Sequence, residues 1–444
     1  MAIKAAMVSL GCPKNQVDAE VMMATLRHDG IQLVNEEADF DVIIINTCGF
    51  IQSAKEEAIQ EILDWVNLKS EGRCKGIVVT GCLAERYREE LVELIPEVEC
   101  VLGIGSNDQI SKAVRKAAQG QKFTAFGEKT DLNIDAPRVL STLPYYAYLK
   151  ISEGCDNCCT YCAIPHIRGK FRSRTIESIV AEAKWLYKQG VRELVLVAQD
   201  TTRYGLDLYG KYALADLLKE LCKIDFTWIR TLYCYPDKIT DELISVLASE
   251  PKLVKYLDIP VQHCSDHVLH DMNRPDSEEA LVELIEKLRA RIPGITLRTT
   301  LITGFPGETE EDFEKLTAFV QKAGFDHLGC FAYSEEEDTI AAEMENQVDE
   351  EVRQHRADII MELQYDIAAE KNAERVGQTV QVVVEGYDKY GACYFGRSTF
   401  DAPDIDGKIF FDSDIKFNIG DFVAVTIKEV CDYDLYGEVF TIED

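Results

Sequence analysis

The chain has 444 residues, 46% of them hydrophobic, and 47 Lys or Arg against 78 Asp or Glu leave a formal net charge of −31. That length predicts two or three domains, and the acidic excess excludes broad, sequence-independent nucleic-acid binding, which needs a basic footprint. No apolar run reaches the roughly 18 residues of a membrane span, and Met1-Ala2-Ile3-Lys4-Ala5 lacks a signal-peptide pattern. Fifteen cysteines scattered through so large a chain fit a reducing cytoplasm, with some of them binding metal, better than a secreted disulfide scaffold.

Residues 1–135 alternate strand and helix patterns, which predicts a domain with a parallel sheet flanked by helices. Ile3 to Ser9 is a strand, followed by Leu10-Gly11-Cys12-Pro13-Lys14-Asn15 and a helix near Asp18 to Asp29. Asp41 to Asn46 is a second strand, followed by Thr47-Cys48-Gly49 and a helix from Ser53 to Leu68. Gly76 to Thr80 is a third, followed by Gly81-Cys82 and a helix through Leu94. Val101 to Ile104 is a shorter fourth, with a helix over Asp108 to Gln119. Cys12, Cys48 and Cys82 therefore occupy the same place three times, just past the carboxyl end of a strand. Those loops lie at one sheet edge, where open α/β sheets bind ligands. Separations of 36 and 34 residues rule out a local knuckle but suit one βα unit between ligands. We expect an iron–sulfur cluster here with one iron lacking a protein ligand; three unrelated small residues at tight turns are the bland alternative. Cys74 and Cys100 precede their strands and read as structural.

Directly after the strand-like run Tyr145 to Ile151 comes Glu153-Gly154-Cys155-Asp156-Asn157-Cys158-Cys159-Thr160-Tyr161-Cys162. Cys155, Cys159 and Cys162 form a C-x3-C-x2-C triplet that can hold three irons of a four-iron, four-sulfur cluster and leave the fourth open. A zinc knuckle would want a second C-x2-4-C pair, and none follows. Cys158 could stand in for Cys159, giving C-x2-C-x3-C, but reads as a bystander.

From residue 140 to 372 the alternation resumes at a longer period. Strands are expected at Tyr146–Ile151, Glu193–Ala198, Trp228–Leu232, Tyr256–Ile259, Thr296–Ile302 and His327–Phe331, with helices between them. Six βα units suffice for a curved, open barrel whose active site lies at the carboxyl strand ends. Gln199, Gln262, Thr303 and Gly304 sit at such ends. The acids Glu308, Glu310, Glu311 and Asp312 are explained by helix capping. His263, His267 and His270 have helical spacing but read as a polar junction rather than a metal site. Glu345 to Asn372 is a polar helical tether. In 375–444, five short β-prone runs (Thr379–Glu385, Ala392–Phe395, Lys408–Phe411, Phe422–Glu429 and Tyr436–Thr441) predict a small antiparallel β-barrel similar to TRAM or OB-like modules. Residues 379–444 carry 14 Asp or Glu against 5 Lys or Arg, unsuited to a bare phosphate backbone.

The C-x3-C-x2-C loop resembles that of the radical S-adenosylmethionine enzymes, and the whole chain resembles their methylthiotransferase family. The implied fold class is α/β: an N-terminal parallel α/β domain, a central partial (β/α)6 TIM-like barrel and a C-terminal TRAM barrel. The resemblance implies two 4Fe-4S clusters, with S-adenosylmethionine as both methyl and 5′-deoxyadenosyl radical source. It also implies a reduced electron donor, a reductase such as flavodoxin, and an exogenous sulfur source. It makes Cys12, Cys48, Cys82, Cys155, Cys159 and Cys162 the catalytic metal ligands. It suggests cofactor contacts at Tyr161, Gln199, Gln262, Arg298, Thr303 and Gly304, although Tyr161 could instead pack over the cluster and Arg298 could face the helices. Two branches differ in substrate: isopentenylated adenosine of tRNA, or the β-carbon of an aspartate in a small-subunit ribosomal protein (S twelve). Ser9-Leu10-Gly11-Cys12-Pro13-Lys14-Asn15, Asn46-Thr47-Cys48-Gly49-Phe50-Ile51, Cys162-Ala163-Ile164-Pro165, Arg168-Gly169-Lys170-Phe171-Arg172-Ser173-Arg174 and Gln199-Asp200-Thr201-Thr202-Arg203-Tyr204-Gly205 resemble the ribosomal-protein branch. The expected partner is accordingly a basic ribosomal protein or the 30S subunit, met by a cytoplasmic monomer. Arg168, Arg172 and Arg174 could steer an aspartate, hold acids of the tail or form ordinary ion pairs.

Overall fold

In the computed structural model, which describes residues 2–440, one unit comprises Met1–Ser141, Ser152–Arg174 and Ser334–Ala342, and a second comprises Thr142–Ile151, Thr175–Tyr333 and Glu343–Asp444. The first unit is built on six strands: β1 (Lys4–Ser9), β2 (Gln32–Leu33), β3 (Val42–Thr47), β4 (Gly76–Gly81), β5 (Cys100–Leu102) and β6 (Phe123–Ala125). All run parallel, in the order β2-β1-β3-β4-β5-β6. The helices are α1 (Pro13–His28), α2 (Gln52–Ser70), α3 (Cys82–Leu94) and α4 (Ile110–Ala117). Alternate residues of β3 feed two cores. Val42 and Ile44 pack with Met22 and Leu26 of α1 and Val114 of α4, while Ile43 and Ile45 pack with Ile62 and Trp65 of α2 and Leu83 of α3. Burial on both faces explains the continuous Val-Ile-Ile-Ile run. Each such side chain contributes roughly 1.5–3 kcal/mol.

Two features differ from the expectation. The edge strands β2 and β6 have only two and three residues, too short to carry a period. Helix α1 begins at Pro13 rather than near Asp18, because proline, lacking an N–H, suits the first helical turn.

In the second unit the strands are β7 (Tyr146–Lys150), β8 (Glu193–Val197), β9 (Trp228–Thr231), β10 (Tyr256–Asp258), β11 (Thr296–Thr303) and β12 (His327–Ala332). They form two parallel three-stranded sheets, β9-β8-β7 and β10-β11-β12. The sheets meet through Cys234 N–H donating to Asp258 O at 2.8 Å. The result is the expected partial barrel. The helix Glu350–Ala373 packs along β12 and against the helix Glu310–Ala323.

The tail strands β13 (Thr379–Asp388), β14 (Cys393–Arg397), β15 (Ile409–Asp412), β16 (Phe422–Cys431) and β17 (Asp434–Val439) close a barrel in the order β13-β14-β15-β17-β16. Its core is Val382, Val384, Ile409, Phe411, Val425, Ile427 and Leu435. Four pairings are antiparallel, but β15 and β17 close the barrel in parallel. Thr441, expected in the last strand, lies outside the described residues. No helix among the described residues is long and apolar enough to cross a membrane.

The tail seals the amino ends of the larger barrel's strands. Glu193, the first residue of β8 and fully buried, pairs with Arg230 at 3.0 Å and with Arg397 of β14. Arg230 also donates to Thr399 O at 3.0 Å. Tyr146 and Tyr148 donate to Asp404, and Tyr256 to Asp406 at 2.7 Å. Part of the tail's acidic excess is thus used inside the protein. Replacing Glu193 with Ala leaves the buried Arg230 without its carboxylate and Arg397 with Glu385 alone, so Glu193→Ala should lose about 3–5 kcal/mol of stability, measured by denaturant unfolding of the full chain.

Candidate metal centre

The strands β1, β3 and β4 are immediate neighbours, with Ser9 opposite Asn46 and Thr47 opposite Gly81. Their carboxyl ends are therefore about 4.8 Å apart from one strand to the next, and each is followed within three residues by a cysteine. Cys12 caps α1, Cys48 lies between β3 and α2, and Cys82 opens α3. Glycine permits this convergence. Gly11 has φ +88°, and a Cβ there would lie 2.7 Å from Cys48 Cβ and 3.0 Å from its Sγ. Gly81, at φ +96°, would collide with Thr47 O at 2.4 Å.

Polar side chains lock the three loops together. Asn46 donates to Ser9 Oγ at 3.0 Å and to Asn15 O at 2.9 Å. Asn15 in turn donates to Leu10 O and Thr47 O, and Thr47 to Thr80 O at 2.6 Å. These residues stand inside the quoted motifs, yet their role was not legible there. The signal was present: short polar side chains next to each cysteine, in loops whose backbone groups need partners.

The three thiols feel one another. Burial works to raise Cys12, but Lys14, Arg168 and the N–H groups of Asn15 and Lys14 outweigh it and hold the thiol below its ordinary value. Burial pushes Cys48 up, and pushes Cys82 up to about 12 despite Arg168. Metal must displace those protons to bind.

The second triplet sits on a loop of the same unit, closed at its base by antiparallel pairing of Ser152–Glu153 with Arg172–Ser173. Cys155 N–H donates to Gly169 O at 3.1 Å, and Cys162 N–H to Cys159 O at 3.0 Å. Two backbone N–H groups point at sulfur: Asn157 to Cys155 at 3.5 Å and Ile164 to Cys162 at 3.4 Å. Such bonds favour the thiolate and tune bound clusters. Burial raises the Cys162 thiol, and Cys159, Cys155 and Cys158 raise it further, so all lie within electrostatic reach. Cys158 is exposed, whereas Cys155, Cys159 and Cys162 are half-buried, as is Tyr161. The loop continues into α5 (Ile164–Arg168).

Among the described residues no three His, Cys, Asp or Glu side chains close around a single metal ion. Thiols spread over separate strand ends or along a loop suit the corners of a cluster, and a donor set of sulfur alone is the chemistry iron–sulfur clusters select. Both triplets fit. The histidines go elsewhere: His263 Nδ1 accepts from Ser265 N–H at 3.0 Å, while His267 and His270 lie beside Asp271.

The expected cofactor contacts of the second unit separate on inspection. Along β11 the half-buried residues are Arg298, Thr300 and Ile302, which share the face of half-buried His327 and Gly329 and exposed Phe331 across the register; Leu297, Thr299, Leu301 and Thr303 are buried. Thr303 faces the other way and donates to Arg353 O at 3.1 Å. Gly304 packs against the same Arg353. Both positions thus meet Arg353, and strand alternation sets Thr303 on the face opposite Thr300 and Ile302. Arg298 is engaged by two carboxylates of the chain itself, Asp258 at 3.0 Å and Asp406 at 3.4 Å. Gln199 is half-buried after β8. Gln262 holds φ +69° and bridges by backbone to Thr300 and Ile302.

Arg168 meets Asp18 and Glu153, Arg172 donates to Lys129 O and Thr130 O, and Arg174 pairs with Asp135 at 2.8 Å.

Residues 4–103 match the uncharacterized protein family UPF0004, residues 149–320 the radical SAM superfamily and residues 376–440 the TRAM domain. The chain is 51% identical over 437 residues to the ribosomal protein uS12 methylthiotransferase RimO of Desulforamulus reducens, covering 98% of each. It is 52% identical over 442 residues to the protein of the same name from Pelotomaculum thermopropionicum, covering 99% of each. Among solved structures, the radical S-adenosylmethionine methyltransferase TsrM of Kitasatospora setae, with cobalamin and a [4Fe-4S] cluster bound, superposes with a TM-score of 0.56 at 14% identity over 75% of each chain. That likeness is one of fold.

Gly11→Ala should crowd Cys48 and disorder only the amino-terminal triplet. Anaerobically reconstituted protein should then drop from about eight irons per chain to about four, with its far-ultraviolet circular dichroism unchanged. Full iron content in this variant would show that the close approach of Gly11 to Cys48 does not matter for loading.

Proposed function

Because the chain belongs to the ribosomal protein uS12 methylthiotransferase family, we propose that it adds a methylthio group to the β-carbon of an aspartate in that small-subunit ribosomal protein. The observation that carries this reading is the second thiol trio. An enzyme needing only a radical would be served by Cys155, Cys159 and Cys162, whereas Cys12, Cys48 and Cys82 add a separate all-sulfur site in the same unit. In functional terms residues 1–135 form the sulfur-handling domain, 140–372 the radical domain and 375–444 the TRAM domain. When bound, two 4Fe-4S clusters with S-adenosylmethionine supply the radical, the sulfur and the methyl group.

The chain's own residues bind, orient and shield. Cys12, Cys48 and Cys82 would hold one cluster and Cys155, Cys159 and Cys162 the other, with three thiolates supplied to each. Within the second unit, the cofactor contacts expected at Gln199, Gln262, Arg298, Thr303 and Gly304 are joined by Thr300 and Ile302 on the open face of β11. Tyr161 keeps its expected contact within the first unit. A reductase such as flavodoxin delivers electrons to a monomer, and an exogenous source supplies sulfur.

Cys155, Cys159 and Cys162 changed together to Ala should abolish reductive cleavage of S-adenosylmethionine. The triple Ala variant of Cys12, Cys48 and Cys82 should still release 5′-deoxyadenosine but transfer no methylthio group; transfer at the native rate would remove the amino-terminal trio from sulfur handling. Offered both the ribosomal protein (or 30S subunit) and isopentenylated tRNA, the native enzyme should modify only the protein, by one methylthio group on an aspartate in mass spectra. Modification of tRNA alone would overturn the substrate assignment. Because the chain carries a net charge of −31 and the partner is basic, association should weaken as salt rises; a binding constant flat from low to high salt would remove charge as the attraction.

A further inference from the structure

Arg168 is a charged side chain buried where no solvent can stabilise it, 3% exposed at the end of α5. Its guanidinium divides between two ends. Nη1 donates to Asp18 Oδ2 at 2.5 Å and Glu153 Oε2 at 3.3 Å; Nη2 donates to Asn15 Oδ1 at 3.3 Å and Cys82 Sγ at 3.4 Å. The acceptors belong to both cysteine segments: Asn15 and Asp18 follow Cys12 on α1, Cys82 opens α3, and Glu153 stands two residues before Cys155. The loop that presents Cys155, Cys159 and Cys162 therefore also delivers a cation to a sulfur of the other trio. Ion pairing alone would not require the sulfur contact, since Asp18 and Glu153 already neutralise the guanidinium.

We propose that Arg168 is a positioning residue of the amino-terminal centre, donating an N–H to the Cys82 sulfur and so favouring the more negatively charged, reduced state of the cluster held there. This rests on the reading of Cys12, Cys48 and Cys82 as cluster ligands. The physical reason is direct: a hydrogen bond and a positive charge at a ligand sulfur stabilise the added electron. Burial strengthens the effect, because little water competes for or screens the contact. A lysine keeps the charge but cannot span Asp18 and Cys82 with a fixed fork.

The test uses the full-length C155A/C159A/C162A variant, in which the amino-terminal cluster is the sole one. Arg168, R168K and R168Q forms are reconstituted, their iron is counted, and the midpoint potential is measured by spectroelectrochemical titration with electron paramagnetic resonance. At equal iron content, R168Q should have a more negative potential than Arg168, with R168K between them. Equal potentials in all three would overturn the proposal. Should R168Q fail to fold without the positive charge that faces Asp18 and Glu153, R168Q/D18N is compared with D18N alone, and the same negative shift is required. Absence of iron in the form that keeps Arg168 would instead overturn the cluster reading itself, and the proposal with it.

Discussion

A parallel sheet has one carboxyl edge, and every loop that leaves it starts from the same line. That constraint organises this protein. Because β1, β3 and β4 are adjacent and in register, three cysteines more than 30 residues apart converge without any long-range element having to reach for another. Convergence also requires that side chains be missing where backbones meet, and Gly11 and Gly81 meet that need. The barrel strands follow the same rule: the cysteine loop leaves the carboxyl end of β7, while the amino ends are sealed by the tail.

The two edges of the barrel strands receive different chemistry. At the amino edge, buried charge is fully partnered: Glu193 with Arg230 and Arg397, and Tyr256 and Arg298 with Asp406. Such networks add little net stability over apolar packing, but once present they make a wrong docking of the tail costly, because every displaced partner leaves a buried charge behind. Toward the carboxyl side the strand faces are more open. Thr300 and Ile302 of β11 remain partly accessible, as do Gln199 and Gln262. Stability is concentrated on one side and access kept on the other.

Legibility in the sequence followed the range of the physics. The six barrel strands and three of the cysteine-bearing strand ends could be read because hydrophobic period and thiol spacing are local signals. The edge strands Gln32–Leu33 and Phe123–Ala125 could not, being shorter than a period. The start of α1 was placed late because Pro13 was taken with the loop, although a proline in the first turn is where helices accept it. The place of Thr303 and Gly304 at a strand end could be read from sequence; that the Thr303 hydroxyl turns toward Arg353 shows only in the alternation of burial along β11. Arg168 was the hardest to read. Its partners lie at positions 15, 18, 82 and 153, and no pattern in one dimension connects them.

The cysteines themselves show why a metal site can be prebuilt without wrecking the fold. Three buried thiolates side by side would repel one another in a poorly solvated space. Burial instead raises Cys48 and takes Cys82 to about 12, so both stay protonated and nearly apolar at neutral pH. Cys12 is the exception: although burial opposes it, Lys14 and Arg168 hold it below its ordinary value. The trio thus has one thiol held below its ordinary value and two raised above theirs. Were the trio to hold a cluster, each thiolate would form against a cation able to share its electrons, so that charge and metal would enter together. The same reasoning applies to Cys162, raised by burial and by its neighbours. The scaffold fixes where the sulfurs stand and leaves their ionisation to be driven by binding.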